Sequence, residues 1–159
     1  MAATSAGILL YRLRGEQLEV LVAHMGGPYW AAKDEGAWSI PKGEYDQDAE
    51  SAQDAAVREF REELGVEPPD RPLAELGTFA YSSGKRITVF VVDGAGFEPP
   101  EEGFGTFELE WPPRSGRTQE FPEIDRAEWM TPDAARERLV KGQRPALAAL
   151  EEHLAAAAG

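Results

Sequence analysis

In Gly43-Glu44-Tyr45-Asp46-Gln47-Asp48-Ala49-Glu50-Ser51-Ala52-Gln53-Asp54-Ala55-Ala56-Val57-Arg58-Glu59-Phe60-Arg61-Glu62-Glu63-Leu64-Gly65-Val66 a helical period begins at Ala49 and runs to Leu64. Ala52, Ala56, Phe60 and Leu64 recur four apart and mark the buried stripe. Asp48 is placed to cap the start, Gly65 to end the helix in the left-handed conformation, and Pro68-Pro69 to stop any continuation. Glu59, Glu62 and Glu63 fall at i, i+3 and i+4 opposite the stripe, where like charges repel by a few tenths of a kcal/mol per pair. One reading is a solvated face with Arg58 and Arg61 as local partners. The other is a site for a hard cation, since carboxylate oxygens suit Mg²⁺ or Mn²⁺.

The charge around this helix is the chain's main asymmetry. From Glu44 to Asp70 ten acids face two arginines, a net of −8 out of −13 for all 159 residues. Such a balance argues against a broad basic face for duplex nucleic acid or anionic lipid. With 42% hydrophobic and 28% charged residues the composition is that of a globular domain able to bury a core, and 1–159 is expected to form one domain. The absence of cysteine excludes disulfides, thiolate metal sites and a cysteine nucleophile. No run of 18 apolar residues exists and Met1 to Ala6 lacks a basic, then apolar leader, so a cytoplasmic location is expected.

Before the helix, Gly7–Arg12 and Leu18–His24 read as a hairpin turning at Gly15-Glu16, and Ala37–Ile40 reads as a short strand stopped by Pro41. After it, Leu76–Tyr81 and Ile87–Val92 form a second hairpin around Ser82-Ser83-Gly84-Lys85. Gly94 to Gly105 reads as a mobile surface loop, Thr106–Trp111 as a strand, Arg114 to Asp125 as a polar loop and Arg126–Met130 as a strand. Thr131-Pro132 starts a helix expected to reach Lys141, and a last helix is expected over about 144–157.

Glu50, seven residues, then Arg58-Glu59-Phe60-Arg61-Glu62-Glu63-Leu64-Gly65-Val66 resembles the signature of the Nudix hydrolase superfamily. All eight specified positions from Glu50 onward match, which by chance is on the order of a one-in-a-million event. The departure lies in front, where six residues separate Gly43 from Glu50 instead of five; a loop can absorb one residue without moving the carboxylates. Trp38-Ser39-Ile40-Pro41-Lys42-Gly43-Glu44 resembles the lead-in of such enzymes, in a form similar to members acting on dinucleoside polyphosphates or diphosphoinositol phosphates. Ser5–Tyr11 and Trp111–Arg117 are similar to bacterial members described as nucleoside triphosphate pyrophosphohydrolases.

The resemblance implies an α/β/α sandwich with a mixed central sheet, and Mg²⁺- or Mn²⁺-dependent hydrolysis of a nucleoside diphosphate linked to another moiety. A dinucleoside polyphosphate or nucleoside triphosphate is the leading substrate class, ahead of nucleotide sugars and capped RNA ends. It further implies metal ligation by Glu59, Glu62 and Glu63, with Glu123 as an added carboxylate and Glu120 as its alternative. Glu59 or Glu123 would take the water's proton, while Arg58 and Glu50 would orient the ligands. Lys42, Gly43, Lys85, Arg86, Arg114 and Arg117 are candidate phosphate contacts. Tyr29, Trp30 and Trp38 are candidates for stacking a base, with packing in the sheet the competing reading for Trp38. His24 reads as a strand-end residue and His153 as a surface helix residue. Relatives often dimerise, so a homodimer is admitted as a partner state. The competing functions are a Nudix-fold nucleotide sensor without turnover and an interaction protein whose acidic helix is merely solvated. Phosphate-loop, dinucleotide-fingerprint and serine-elbow motifs are missing: Ser83-Gly84-Lys85-Arg86 lacks the earlier glycine, and Pro99 stands where a fingerprint needs glycine.

Overall fold

The structure is a computed structural model that describes residues 3–158. The first hairpin forms as expected, β1 (Thr4–Arg14) antiparallel to β2 (Gln17–Met25), with Gly15 at φ 68° in the turn. The two strands pair only near that turn, Tyr11 to Arg14 against Gln17 to Val20. Further along, the chain from Ala37 to Glu44 is wedged between them: β3 (Trp38–Ser39) pairs with β2 and β4 (Lys42–Glu44) with β1. This split in the sheet is where the functional site lies.

β5 (Ala74–Ala80) and β6 (Arg86–Asp93) form the second expected hairpin, and β6 lies parallel to β1, which makes the seven-stranded sheet mixed. β7 (Thr106–Glu110) and β8 (Thr118–Pro122) form a separate two-stranded ribbon, and β9 (Ile124–Met130) returns to pair with β2. β8 corrects the expectation of a loop over Arg114 to Asp125: Thr118-Gln119-Glu120-Phe121 has little apolar alternation, and only pairing with β7 makes it a strand.

Alternation along the strands sends side chains to two cores. Ala6, Ile8, Leu10, Phe90 and Val92 meet Ala55, Ala56, Phe60 and Leu64 of α1 (Ala52–Leu64) on one face. Leu9, Val89 and Val91 meet Leu139, Leu147 and Leu150 on the other, beneath α2 (Pro132–Arg138) and α3 (Pro145–Ala158). The result is the expected α/β/α sandwich. α2 stops short of Lys141, because the chain past Arg138 is drawn into the sheet by Val140 N donating to Trp38 O.

The cap of α1 is corrected. Ser51 is the N-cap and its hydroxyl accepts from Asp54 N, while Asp48 lies in a turn closed on Asp46. That turn takes up the additional residue before Glu50. Gly65 ends the helix at φ 75°, as expected. The segment Gly94 to Gly105 is tied down rather than loose: Gly94 N donates to Tyr11 O, Phe97 packs edge-on against Phe60 at 5.8 Å, and Gly105 N donates to Glu63 O.

Candidate functional site

At the sheet split a cavity of about 430 Å³ opens above α1. β4 brings in Lys42 and Gly43, α1 brings Glu59 and Glu63, and the β8–β9 junction brings Glu123. Lys42 N donates to Glu63 Oε2 at 3.3 Å. Gly43 lies directly against the Glu59 carboxylate, in space that a Cβ would fill. Helix and strand therefore approach closely only because position 43 has no side chain.

Burial dominates the charge state of these acids. It pushes Glu63 up to about 8, with the charges of Glu123 and Glu59 adding to the effect and Lys42 opposing it. Glu59 is raised mainly by burial, against the pull of Arg58. Glu123 is exposed at the cavity mouth, yet desolvation of its carboxyl and the charge of Glu59 raise it too.

Arg58 organises the outer side of the cluster. Its guanidinium reaches Glu50 Oε1, Glu59 Oε1 at 2.8 Å and Glu62 Oε2 at 3.1 Å, the Glu50 contact being 2.6 Å. Hydrogen bonds from Arg58 hold Glu50 below the ordinary carboxylate value. Arg58→Lys keeps the charge but loses the fork that engages three carboxylates at once. It is expected to lower turnover by about ten- to hundredfold, in the range for partners that orient ligands, with little change in melting temperature. Wild-type kcat in that variant would exclude the orienting role.

Glu123 is placed by a run of backbone hydrogen bonds. Gly105 N donates to Glu63 O at 3.0 Å, Glu123 N donates to Gly105 O at 2.8 Å, and Gly26 N donates to Glu123 O at 2.9 Å. A Cβ at Gly105 would run into the Glu62 carbonyl, and one at Gly26 into the Pro122 carbonyl. Gly105→Ala is therefore expected to push Glu123 away from the helix and cost about tenfold in kcat, measured beside an unchanged far-ultraviolet spectrum.

The opposite wall is apolar: Met25, Trp30, Phe107 and Ile124. Trp38 is buried in the sheet, and Tyr29 stands outside the cavity, exposed and edge-on to Trp111 at 5.3 Å. Of the residues singled out in the sequence, Lys42, Gly43, Glu59, Glu63 and Glu123 are brought together. Glu62 is turned outward to Arg58, and Glu120 is exposed on β8 opposite Glu108. Lys85 and Arg86 lie at the β5–β6 turn, and Arg114 and Arg117 at the tip of the β7–β8 ribbon; all four are exposed and do not line the cavity. Sequence reasoning missed Phe107, Gly26 and Gly105. Only the glycines carried a signal, and it was indistinguishable from that of ordinary loop glycines.

Three repelling, partly desolvated carboxylates with an all-oxygen donor set fit a small divalent cation. Among the described residues no three acids already stand in metal-holding geometry; Glu59 and Glu62 are engaged by Arg58. No helix of the described residues is long and apolar enough to cross a membrane.

The family model for the NUDIX domain matches residues 1–150. A 17.7 kDa protein from the e-segB intergenic region of Enterobacteria phage T4 is 35% identical over 91 residues, a match covering 57% of this chain and 58% of the phage protein. Among solved structures, the NUDIX domain of Shewanella oneidensis NrtR, in complex with ADP ribose, superposes with a TM-score of 0.65 at 14% identity, covering 97% of this chain and 89% of that one. An Ap4A hydrolase from C. elegans superposes with a TM-score of 0.62 at 19% identity, covering 98% of this chain and 99% of that one. A mutT/nudix family protein from Listeria innocua gives 0.58 at 20% identity, covering 96% and 94%.

Proposed function

The chain belongs to the Nudix family, and from that membership we propose that it is a pyrophosphohydrolase cleaving a nucleoside diphosphate linked to another moiety. The observation that carries this reading is the cavity itself, one side of which holds Glu59, Glu63, Glu123 and Lys42 while the other is apolar and aromatic. A nucleotide is amphipathic in the same sense, with an anionic phosphate chain at one end and a flat ring at the other.

Glu59, Glu63 and Glu123, with Glu62 after release from Arg58, are the residues that would hold Mg²⁺ or Mn²⁺. Such a cation neutralises phosphate charge and lowers the pKa of water. Lys42 supplies positive charge in a protein of net −13, where an unassisted polyphosphate would be repelled. Glu123 is the better placed of the two candidate bases, because Glu59 already accepts from Arg58 whereas Glu123 makes no side-chain ion pair among the described residues. Burial raises its carboxyl toward the pH at which it takes a proton effectively. Trp30 and Phe107 offer the faces for a base.

Ap4A and ADP ribose, the compounds named for two of the structural neighbours, both contain a nucleoside diphosphate joined to a second group. That shared element supports the general substrate class, with a dinucleoside polyphosphate or nucleoside triphosphate as the leading choice. The test is release of phosphate or nucleoside monophosphate from a panel of nucleoside triphosphates, diadenosine polyphosphates and nucleotide sugars, with and without Mg²⁺ or Mn²⁺. Metal-dependent turnover of one class is expected. Binding of nucleotide across the panel with no turnover would convert the reading to a sensor.

A further inference from the structure

His24 is fully buried, yet its two ring nitrogens serve two different segments of the site. Nδ1 meets Asp125 Oδ1 at 2.9 Å, and Nε2 meets the Lys33 carbonyl at 2.6 Å. Asp125 lies two residues beyond Glu123, at the start of β9. Lys33 lies in the 26–36 segment that carries Trp30, and Lys33 N in turn donates to the Trp30 carbonyl at 2.9 Å. The strand neighbours of His24, Ala23 and Met25, line the cavity directly.

We propose that His24 is a positioning residue that ties the apolar Trp30 wall of the cavity to the Glu123 carboxylate. This rests on the pyrophosphohydrolase reading for its kinetic consequences, but the tie itself is a property of the free protein. The chemistry of imidazole suits the task, because it presents two nitrogens on separate edges of one rigid ring, whereas Gln or Asn ends in a single amide head. The ring is fixed as well: it packs edge-on against Trp38 at 5.1 Å, and Trp38 Nε1 donates to Asp34 Oδ1 at 2.9 Å, holding the same segment. On the far side the tie is reinforced by Gly26 N donating to Glu123 O. The wall that would contact the base and the carboxylate that would act on the phosphate thus share one anchor beneath the sheet.

Two variants separate the two arms. Asp125→Ala removes one partner at a half-exposed position and leaves the Lys33 contact in place. His24→Gln breaks the geometry of both. Hydrogen exchange is read on the full chain without metal, and kcat and KM are read on the substrate found above. Asp125→Ala is expected to speed exchange only around residues 121–127 and to lower kcat about tenfold, with KM held within about twofold. His24→Gln is expected to speed exchange in both 121–127 and 26–36 and to raise KM in addition. The double variant is expected to lower kcat no further than His24→Gln alone. Wild-type exchange and kcat in Asp125→Ala would overturn the proposal. So would His24→Gln spreading faster exchange evenly over the core strands β1 and β6, which marks a general packing role. If His24→Gln does not fold, Asp125→Ala decides by itself. If the wild-type protein turns over nothing, the exchange pattern still decides the tie while the functional reading alone fails.

Discussion

Glu63→Gln is expected to abolish most turnover while making the metal-free protein more stable. Mutating a partner that merely orients a ligand costs about ten- to hundredfold, so removing a carboxylate of the cluster itself is expected to exceed about a hundredfold in kcat. The stability effect follows from linkage. Glu63 is raised in the folded state to about 8 from an ordinary value of 4.5. Below the unfolded value both states carry the proton and folding loses nothing. As pH rises from there toward 8 the unfolded chain releases its proton and the folded one does not, so stability falls across that window and then levels off. The full shift corresponds to a penalty on the order of 4 kcal/mol, or about 10 °C in melting temperature for a chain of this length. The neutral amide introduced by Glu63→Gln carries no such penalty and keeps an oxygen to accept from Lys42 N. Melting curves between pH 5 and pH 8 check this: the wild type is expected to lose stability with rising pH, the variant to lose much less. Millimolar Mg²⁺ or Mn²⁺ is expected to raise the wild-type melting temperature at pH 8 and to leave the variant nearly unmoved. Parallel pH curves for the two proteins would show that Glu63 is not the strained group.

What the sequence disclosed was what local chemistry decides. α1 was legible because its stripe, its left-handed Gly65 and its proline stop all lie within one stretch, and the two long hairpins because apolar alternation flanks a glycine turn. Glu59 and Glu63 were legible by spacing, since a helix fixes which residues share a face. The N-cap was misplaced because Asp48 and Ser51 are both good caps; the choice was made by the turn around Asp46, itself set by β4 docking on β1. β8, Gly105 and the two arms of His24 were not legible at all. Each depends on partners far away along the chain: β7 for the strand, Glu63 and Glu123 for the glycine, Lys33 and Asp125 for the histidine. The acids could be found without the fold, but their supports could not. The candidate cations failed for the same reason. Lys42 enters the cavity because β4 ends there, whereas Lys85, Arg86, Arg114 and Arg117 are carried away on turns whose direction only the sheet determines.

Gly43→Ala is the second change expected to cost about a hundredfold in turnover, through one methyl group. A Cβ at position 43 would occupy the space of the Glu59 carboxylate. The backbone cannot retreat, because Gly43 pairs with Ala6 on β1, a strand packed under α1 and paired to β6 along its length. Helix α1 cannot retreat either, since Ala55, Ala56, Phe60 and Leu64 are wholly buried against that sheet. The Glu59 side chain is the only soft element, so it must swing away, toward Arg58, which already holds it at 2.8 Å. A displacement of about 1 Å at a reacting centre is enough for a loss of this size. Stability is expected to change little, because Gly43 does not adopt a left-handed backbone and alanine loses less entropy than glycine in a strand. The variant should therefore melt like the wild type and turn over far more slowly. Combining Gly43→Ala with Glu59→Asp separates position from generic damage, because shortening the acid by one methylene restores the room that the new methyl takes. The double variant is expected to be more active than the two separate losses multiplied together. Strict additivity would place the fault elsewhere than in the contact between residue 43 and Glu59.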